Sequence, residues 1–311
     1  MIRNTRQNKE MEMIQKLNDF LDSVYPKDLN SSMPFHNMVL LSLLIAAVCW
    51  ILSIITKEYS WIDRTWSTAP VVYVTYIAWC ESFSNTRLNV MATLIILWGI
   101  RLSYNFAKKG GFSYDPTGKS EDYRWAVLKD KMGPILFQVF NITFIAPYQS
   151  ILILWFCAPV HAAWINKSTP FGLLDAAVAA LFLILLLGET KADEEMWKFQ
   201  EDKRKRLENG ENMLGMSPFY REGMYRYSRH PNYFCELGMW WTFYLFGITS
   251  NTNYSLLHWS GIGVVMLNLL FDSSVRFSES ISAAKYPSYA NYQTEVNRLI
   301  PWQPKKVTKT N

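Results

Sequence analysis

The chain has 311 residues, half of them apolar and 15% aromatic, which excludes an intrinsically disordered protein. Its net charge of +5 is too small to call for nucleic acid. A mean hydropathy near zero conceals long apolar runs that alternate with charged loops.

Residues 1–36 form a polar N-terminal segment. Within it Met13, Leu17, Phe20 and Leu21 recur at helical spacing, which fits either a short amphipathic helix on a membrane surface or a frayed terminus. No apolar stretch in the first 33 residues reads as a secretory signal. Arg3 and Arg6 precede the first acid, as in a mitochondrial presequence, but Glu10, Glu12, Asp19 and Asp22 oppose that reading.

From residue 37 the chain reads as an all-α, polytopic membrane bundle of about seven spans, since about 20 apolar residues cross the hydrocarbon core. The expected spans are 37–56, 68–80, 89–107, 134–158 (interrupted by Pro147), 172–188, 237–249 and 256–271. The third carries Arg101, which either faces a cavity or partner, or snorkels to the nearby end. Gly110-Gly111 and Asp115-Pro116 mark turns in the basic loop that follows, where Glu121 and Arg124 are spaced for a local ion pair. Residues 189–209 are charged yet rich in helix formers, with Asp193, Trp197, Gln200 and Arg204 on one face, and continue the fifth helix out of the membrane. Trp240, Trp241 and Tyr244 read as interface anchors.

Cys49, Cys80, Cys157 and Cys235 are widely spaced and read as small buried hydrophobes. His36, His161, His230 and His258 lack ligand spacing, so no metal site is expected.

Charge placement orients the bundle. Segments 57–67, 108–133, 189–236 and 273–311 hold 23 of the 31 lysines and arginines, and with seven spans all four fall on one side, cytosolic or matrix. The opposite loops, 81–88 and 158–171, carry only Arg87 and Lys167.

The densest polar stretch, Gly223–Trp241, lies on the basic side. Pro231 pushes His230 out of helical geometry and opens a helix in which Asn232 and Glu236 share a face. A helix start beside Arg226 and Arg229 suits a phosphate. No soluble-type nucleotide loop, GxGxxG or GK[ST], occurs.

Ser228–Glu236, SRHPNYFCE, resembles the signature of the steroid 5-alpha-reductase-like membrane family and of its sterol-reductase relatives. Weaker matches are Asp63-Arg64-x-Trp66-Ser67, Arg101-Leu102-Ser103, Glu121–Trp125, Ala192-Asp193-Glu194 and Tyr289-x-x-Tyr292…Ile300-Pro301-Trp302. The resemblance implies one reductase-like domain over 37–302, with its motif core at 189–302 and a polar tail at 303–311. It also implies NADPH held under a cap on the basic side, and reduction of the carbon–carbon double bond of a lipid or steroid-like enone. It assigns cofactor contacts to Asn232, Glu236, His230, Arg229, Tyr225, Asp193, Glu279 and Arg276. It leaves the proton donor open: Trp98 stands where the steroid reductases carry a tyrosine, so Asp63 with Tyr104 is the substitute catalytic pair. Many relatives also place an arginine where this chain has Ile281.

The implied partners are a lipophilic small-molecule substrate and membrane lipid, with the endoplasmic reticulum as the expected membrane and the mitochondrial inner membrane as the alternative. Two other functions remain open. The shorter run Y-x-RHP-x-Y also resembles S-adenosylmethionine-dependent methyltransferases of phospholipids and prenylated cysteines, though these usually vary at the asparagine. A non-catalytic subunit of a membrane complex would keep the fold without the proton donor.

Overall fold

A computed structural model describes residues 33–113, 121–211, 216–251 and 256–305. The expected N-terminal surface helix, the Asp115-Pro116 turn, the middle of the 251–253 hairpin and the end of the polar tail lie outside these residues. All regular structure among the described residues is helical. The principal helices are α1 (Met33–Thr56), α2 (Ala69–Cys80), α3 (Thr86–Lys108), α4 (Tyr123–Met132), α5 (Pro134–Phe140), α6 (Gln149–Cys157), α7 (Pro159–Ile165), α8 (Leu173–Glu208), α9 (Pro231–Thr249), α10 (Ile262–Lys285) and α11 (Tyr289–Glu295).

Each expected span overlaps helix, although the last, 256–271, becomes α-helical only at Ile262. Among the described residues four segments, against the seven expected, are long and apolar enough to cross a membrane: Pro34–Thr56, Thr86–Lys108, Pro134–Ile165 and Leu173–Glu208. The 12-residue α2 is too short to cross alone. Leu40, Leu44, Ile51 and Ile55 on α1, and Leu173, Ile184 and Leu187 on α8, point outward and are exposed. Such stripes need lipid to cover them. The run around Pro147 stays helical by a change of pitch: α5 passes into a π-helical segment, Asn141–Tyr148, and then into α6. The wider turn accommodates the missing N–H and the ring of Pro147.

The charged stretch after residue 188 is one helix with the span before it, the 36-residue α8. α8 and α9 share the most extensive helix–helix interface, and α3 packs against both. The main core, with Trp98, Phe182, Leu237, Trp240 and Phe243, fills the space between them. Trp240 is 1% exposed and Tyr244 is also buried, so neither is an interface anchor; of the three only Trp241 is exposed. The sequence-local view fails there because α9 is surrounded by α7, α8 and α10 and has little surface left for lipid.

A second apolar cluster, with Tyr59, Ile62, Trp125, Phe137 and Ile145, joins the 57–67 loop and α4 to the start of the fourth span. The expected Glu121–Arg124 pair does not form. Arg124 pairs with Asp122 at 2.6 Å and donates to Ser274 on α10, while Glu121 accepts the Tyr59 backbone N–H. Asp122 caps α4 through the Arg124 backbone N–H, which turns the two side chains toward each other.

α10 crosses α6 at Gly263, where a Cβ would run into the backbone of Trp155 and Phe156. Backbone cannot rotate aside as a side chain can, so Gly263→Ala should separate the helices. We expect a loss on the order of 1–3 kcal/mol, read as an earlier melt of the detergent-solubilised protein.

Candidate functional site

The polar centre of the molecule is built on Arg101. Trp98, Arg101 and Asn105 stand three and four residues apart on α3 and so share one face. Glu189 and Asp193 do the same on α8, as do Asn232 and Glu236 on α9. The three faces meet. Arg101 Nη1 lies 2.8 Å from Glu189 and 2.7 Å from Asp193, and Nη2 lies 3.3 Å from Glu236. The arginine is thus held inside the protein rather than snorkelled to the end of its helix, because three carboxylates wait for it there.

Around this core the remaining polar groups are nearly all committed. Trp98 Nε1 donates to Glu236 Oε2 at 3.0 Å, and Trp240 Nε1 donates to Glu236 Oε1 at 2.8 Å. The two indoles also pack edge-on, 5.0 Å apart, so Glu236 is fixed from both sides. Asn105 donates to Asp193 at 2.9 Å. Asn232 is the least bound member, with one long contact of 3.4 Å to Asp193 Oδ1. Arg101 Nε and Glu189 Oε2 are buried without a hydrogen-bond partner. Three carboxylates face one guanidinium, so the centre is formally anionic. Among the described residues no cluster of His, Cys, Asp or Glu is arranged for a metal; the acids turn onto Arg101 instead.

A second polar cluster lies at the other end of the same motif. His230, with φ −137° and ψ 63°, ends the approach to α9, and Pro231 opens the helix. Arg229 holds Glu279 of α10 through two bonds of 2.6 and 3.0 Å, and its Nη1 donates to the carbonyls of Gln293 and Val296. His230 Nε2 and Gln293 Nε2 lie 3.0 Å from the same carboxylate. Burial alone would raise the Glu279 pKa. Hydrogen bonds from His230, Arg229 and Gln293, with the Arg229 charge, outweigh burial and hold it at about 2. The site reading of Arg229 and Glu279 therefore acquires a prior obligation: they clasp the C-terminal segment to α9. Ser228 Oγ and the Tyr227 carbonyl extend the clasp to Leu299 and Trp302.

Beside the clasp opens a cavity of about 590 Å³, lined by Arg229, Arg276, Glu279, Gln293, Arg298 and Lys305 among others. Arg276 is largely exposed on its rim and pairs with Asp272, as does Arg298. Tyr225 lies in a 3-10 turn, Gly223–Arg226, and is 4% exposed. Burial, and after it the Asp193 charge, push its hydroxyl pKa up. The turn is fastened to α8 by Glu195, which accepts the Met224 N–H at 2.9 Å. Gly223, at φ 53°, lets the backbone lie flat on that carboxylate.

The expected catalytic pair is not assembled. Asp63 is turned onto Trp125 Nε1 at 3.0 Å, in the cap cluster, and burial raises its pKa. Tyr104 is 65% exposed, with only the Lys108 ammonium over its ring. The reason is register. Trp98, Arg101 and Asn105 take the inward face of α3, so Tyr104 falls on the outward one.

The structure thus unites Asp193, Asn232 and Glu236 at one centre, and His230, Arg229, Glu279 and Arg276 around the clasp and its cavity. The sequence reading missed Glu189, Asn105 and Glu195. Glu189 was findable: it precedes Asp193 by four residues on a helix already singled out.

A family model described as "Protein of unknown function (DUF1295)" matches residues 49–296, which include the Arg101 centre and the Arg229–Glu279 pair. The chain is 31% identical over 306 residues to Uncharacterized protein C594.04c of Schizosaccharomyces pombe, covering 94% of this chain and 86% of that protein. No solved structure matches it.

Proposed function

The chain belongs to the DUF1295 family, and from that premise we propose that it is an integral-membrane reductase. In this reading it uses NADPH to reduce the carbon–carbon double bond of a lipid or steroid-like enone. One observation carries the reading: Asp193, Asn232 and Glu236, drawn from two distant stretches of sequence, converge with Arg101 on a single buried centre.

The residues fit the cofactor in two parts. The centre offers an under-used amide at Asn232, an unpaired N–H at Arg101 Nε and an unpaired oxygen at Glu189 Oε2. Donors and acceptors together suit a carboxamide and ribose hydroxyls. The centre's excess of carboxylates repels phosphate, so the phosphates belong at the basic cavity by the clasp, on Arg276, Arg298 and Lys305. Segment 229–236 joins the two places, its helical part from Pro231 to Glu236 rising about 8 Å. Bound there, the cofactor would supply the hydride that an enone accepts at its β-carbon. The protein's own share is to orient the carboxamide with Asn232, to fix Glu236 through Trp98 and Trp240, and to keep the centre closed to bulk water with Phe243 and Phe156. Its anionic field favours a ring that becomes positive on losing hydride. The membrane is proposed to be the endoplasmic reticulum.

Titration of the purified protein with NADPH tests this. Asn232→Ala should weaken binding about three- to tenfold, the worth of one neutral hydrogen-bonding group, and leave the melt unchanged, since Asn232 makes only one long contact. Binding of neither NADPH nor NADH would falsify the reading; tight S-adenosylmethionine binding in their place would establish the methyltransferase.

A second reading, a non-catalytic membrane subunit on the same fold, draws on the outward-facing Tyr104 and on Trp98 being spent on Glu236. Its sign is stoichiometric co-purification with a larger complex and no turnover.

A further inference from the structure

A groove of about 630 Å³ lies on the outer surface between the end of α1 and the start of the fourth span, away from both polar clusters. Its volume falls within the roughly 300–1,000 Å³ of ordinary ligand pockets. Its length is apolar: Trp50 and Ile54 on one wall, Val139 and Ile142 on the other, with Phe137 as floor. Ile54, Val139 and Ile142 are each about half exposed, so none of the described residues covers the groove.

Its head is different. Lys57 and Lys129 both line it, from two separate elements. Among the described residues neither ammonium is held in an ion pair, in contrast to Lys108, Lys167, Lys198 and Lys205, which all are. Lys129 rests over the Tyr59 ring at 5.6 Å, and Glu121 is near enough to feel its charge. Tyr59 accepts a hydrogen bond from Gln138 Nε2 at 2.8 Å, and both residues line the groove. Lys57 ends α1 in the left-handed region, φ 58°, a costly conformation for a residue with a side chain.

The groove therefore has two lysines outside any ion pair at its head and an open apolar channel below. The head sits at the end of α1, next to the 57–67 loop that charge placement assigns to the basic side, with Trp50 about two turns back along the helix. A soluble anion would use the cations and waste the channel. A neutral apolar guest would use the channel and waste the cations.

We infer that the groove holds one anionic phospholipid of the surrounding bilayer, its phosphate on Lys57 and Lys129 and one acyl chain against Trp50, Ile54, Val139 and Ile142. The site is separate from the proposed cofactor site and stands whether or not the chain is a reductase.

Native mass spectrometry of the full-length detergent-solubilised protein, titrated with phosphatidylserine or phosphatidylcholine of the same acyl chains, tests it. One phosphatidylserine should bind about thirtyfold more tightly than phosphatidylcholine, as two lysines near a lipid surface predict. The double variant Lys57→Ala/Lys129→Ala should lose that preference. The control Lys198→Ala/Lys205→Ala removes equal charge from the exposed face of α8 and should keep it. All four lysines are exposed, and matching melting curves will verify that each variant is folded. Equal binding of the two lipids by the native chain overturns the assignment. So does a preference that survives in the groove variant, or one that disappears equally in the control.

Discussion

Replacing Arg101 with methionine should lower the melting temperature of the solubilised protein by on the order of 10 °C and abolish NADPH binding even well below the melt. The side chain is 10% exposed and sits among Glu189, Asp193 and Glu236, which are 6%, 11% and 9% exposed. Methionine keeps much of the volume and removes the charge. Three acids are then left in an apolar surround with no counterion, and breaking a buried pair in this way costs about 3–5 kcal/mol. The diagnostic variant is the double one, Arg101→Met/Glu189→Gln. Taking one acid away should recover on the order of 1–3 kcal/mol, a coupling energy that independent sites would not show. Additive losses in the double variant would mean that the four side chains do not form one electrostatic unit. The same cluster would then lose its standing as a cofactor site.

The second large effect is expected on the opposite face, where it should leave the function alone. Arg87 was counted from the sequence as a sparse loop charge. In the fold it lies in the first turn of α3, 1% exposed, and meets Asp175 of α8 through two bonds of 2.8 and 2.9 Å. It also donates to the carbonyls of Thr169 and Pro170. Asp175 in turn accepts Thr249 Oγ1 and the Gly172 N–H. One ion pair thus ties α3, the 169–172 turn, α8 and the end of α9 together. Arg87→Met should destabilise by about 3–5 kcal/mol, because Asp175 is stranded and two carbonyls lose their donor. NADPH affinity, measured at a temperature where the variant is still folded, should stay within about twofold. A melt unchanged from the native one would refute the structural role; selective loss of NADPH binding would join the two faces functionally.

Much of this molecule was legible in its chain. The apolar runs placed all four helices that, among the described residues, are long and apolar enough to cross a membrane, because a bilayer imposes length and composition locally and each helix satisfies its own backbone. Helix-forming residues after 188 foretold the long α8, and Pro231 foretold where α9 begins. Local chemistry also carried the spacing of Asn232 and Glu236.

Pairing across helices was another matter. Trp240 reads locally as an interface aromatic, yet α7, α8 and α10 enclose α9 and turn it into a core residue bonded to Glu236. Tyr104 reads as a hydroxyl in the right neighbourhood, yet the rotation of α3 that brings Arg101 to its acids carries Tyr104 outward. Arg229 reads as a phosphate ligand, yet the returning tail meets it first, with Glu279.

The sequence by itself determined the helical architecture and the residues able to do polar chemistry inside a membrane protein. Only the tertiary structure decided which of them face one another. A helix's period is written in its own residues, whereas its rotation about its axis is fixed by the neighbours it packs against, and those are distant in the chain.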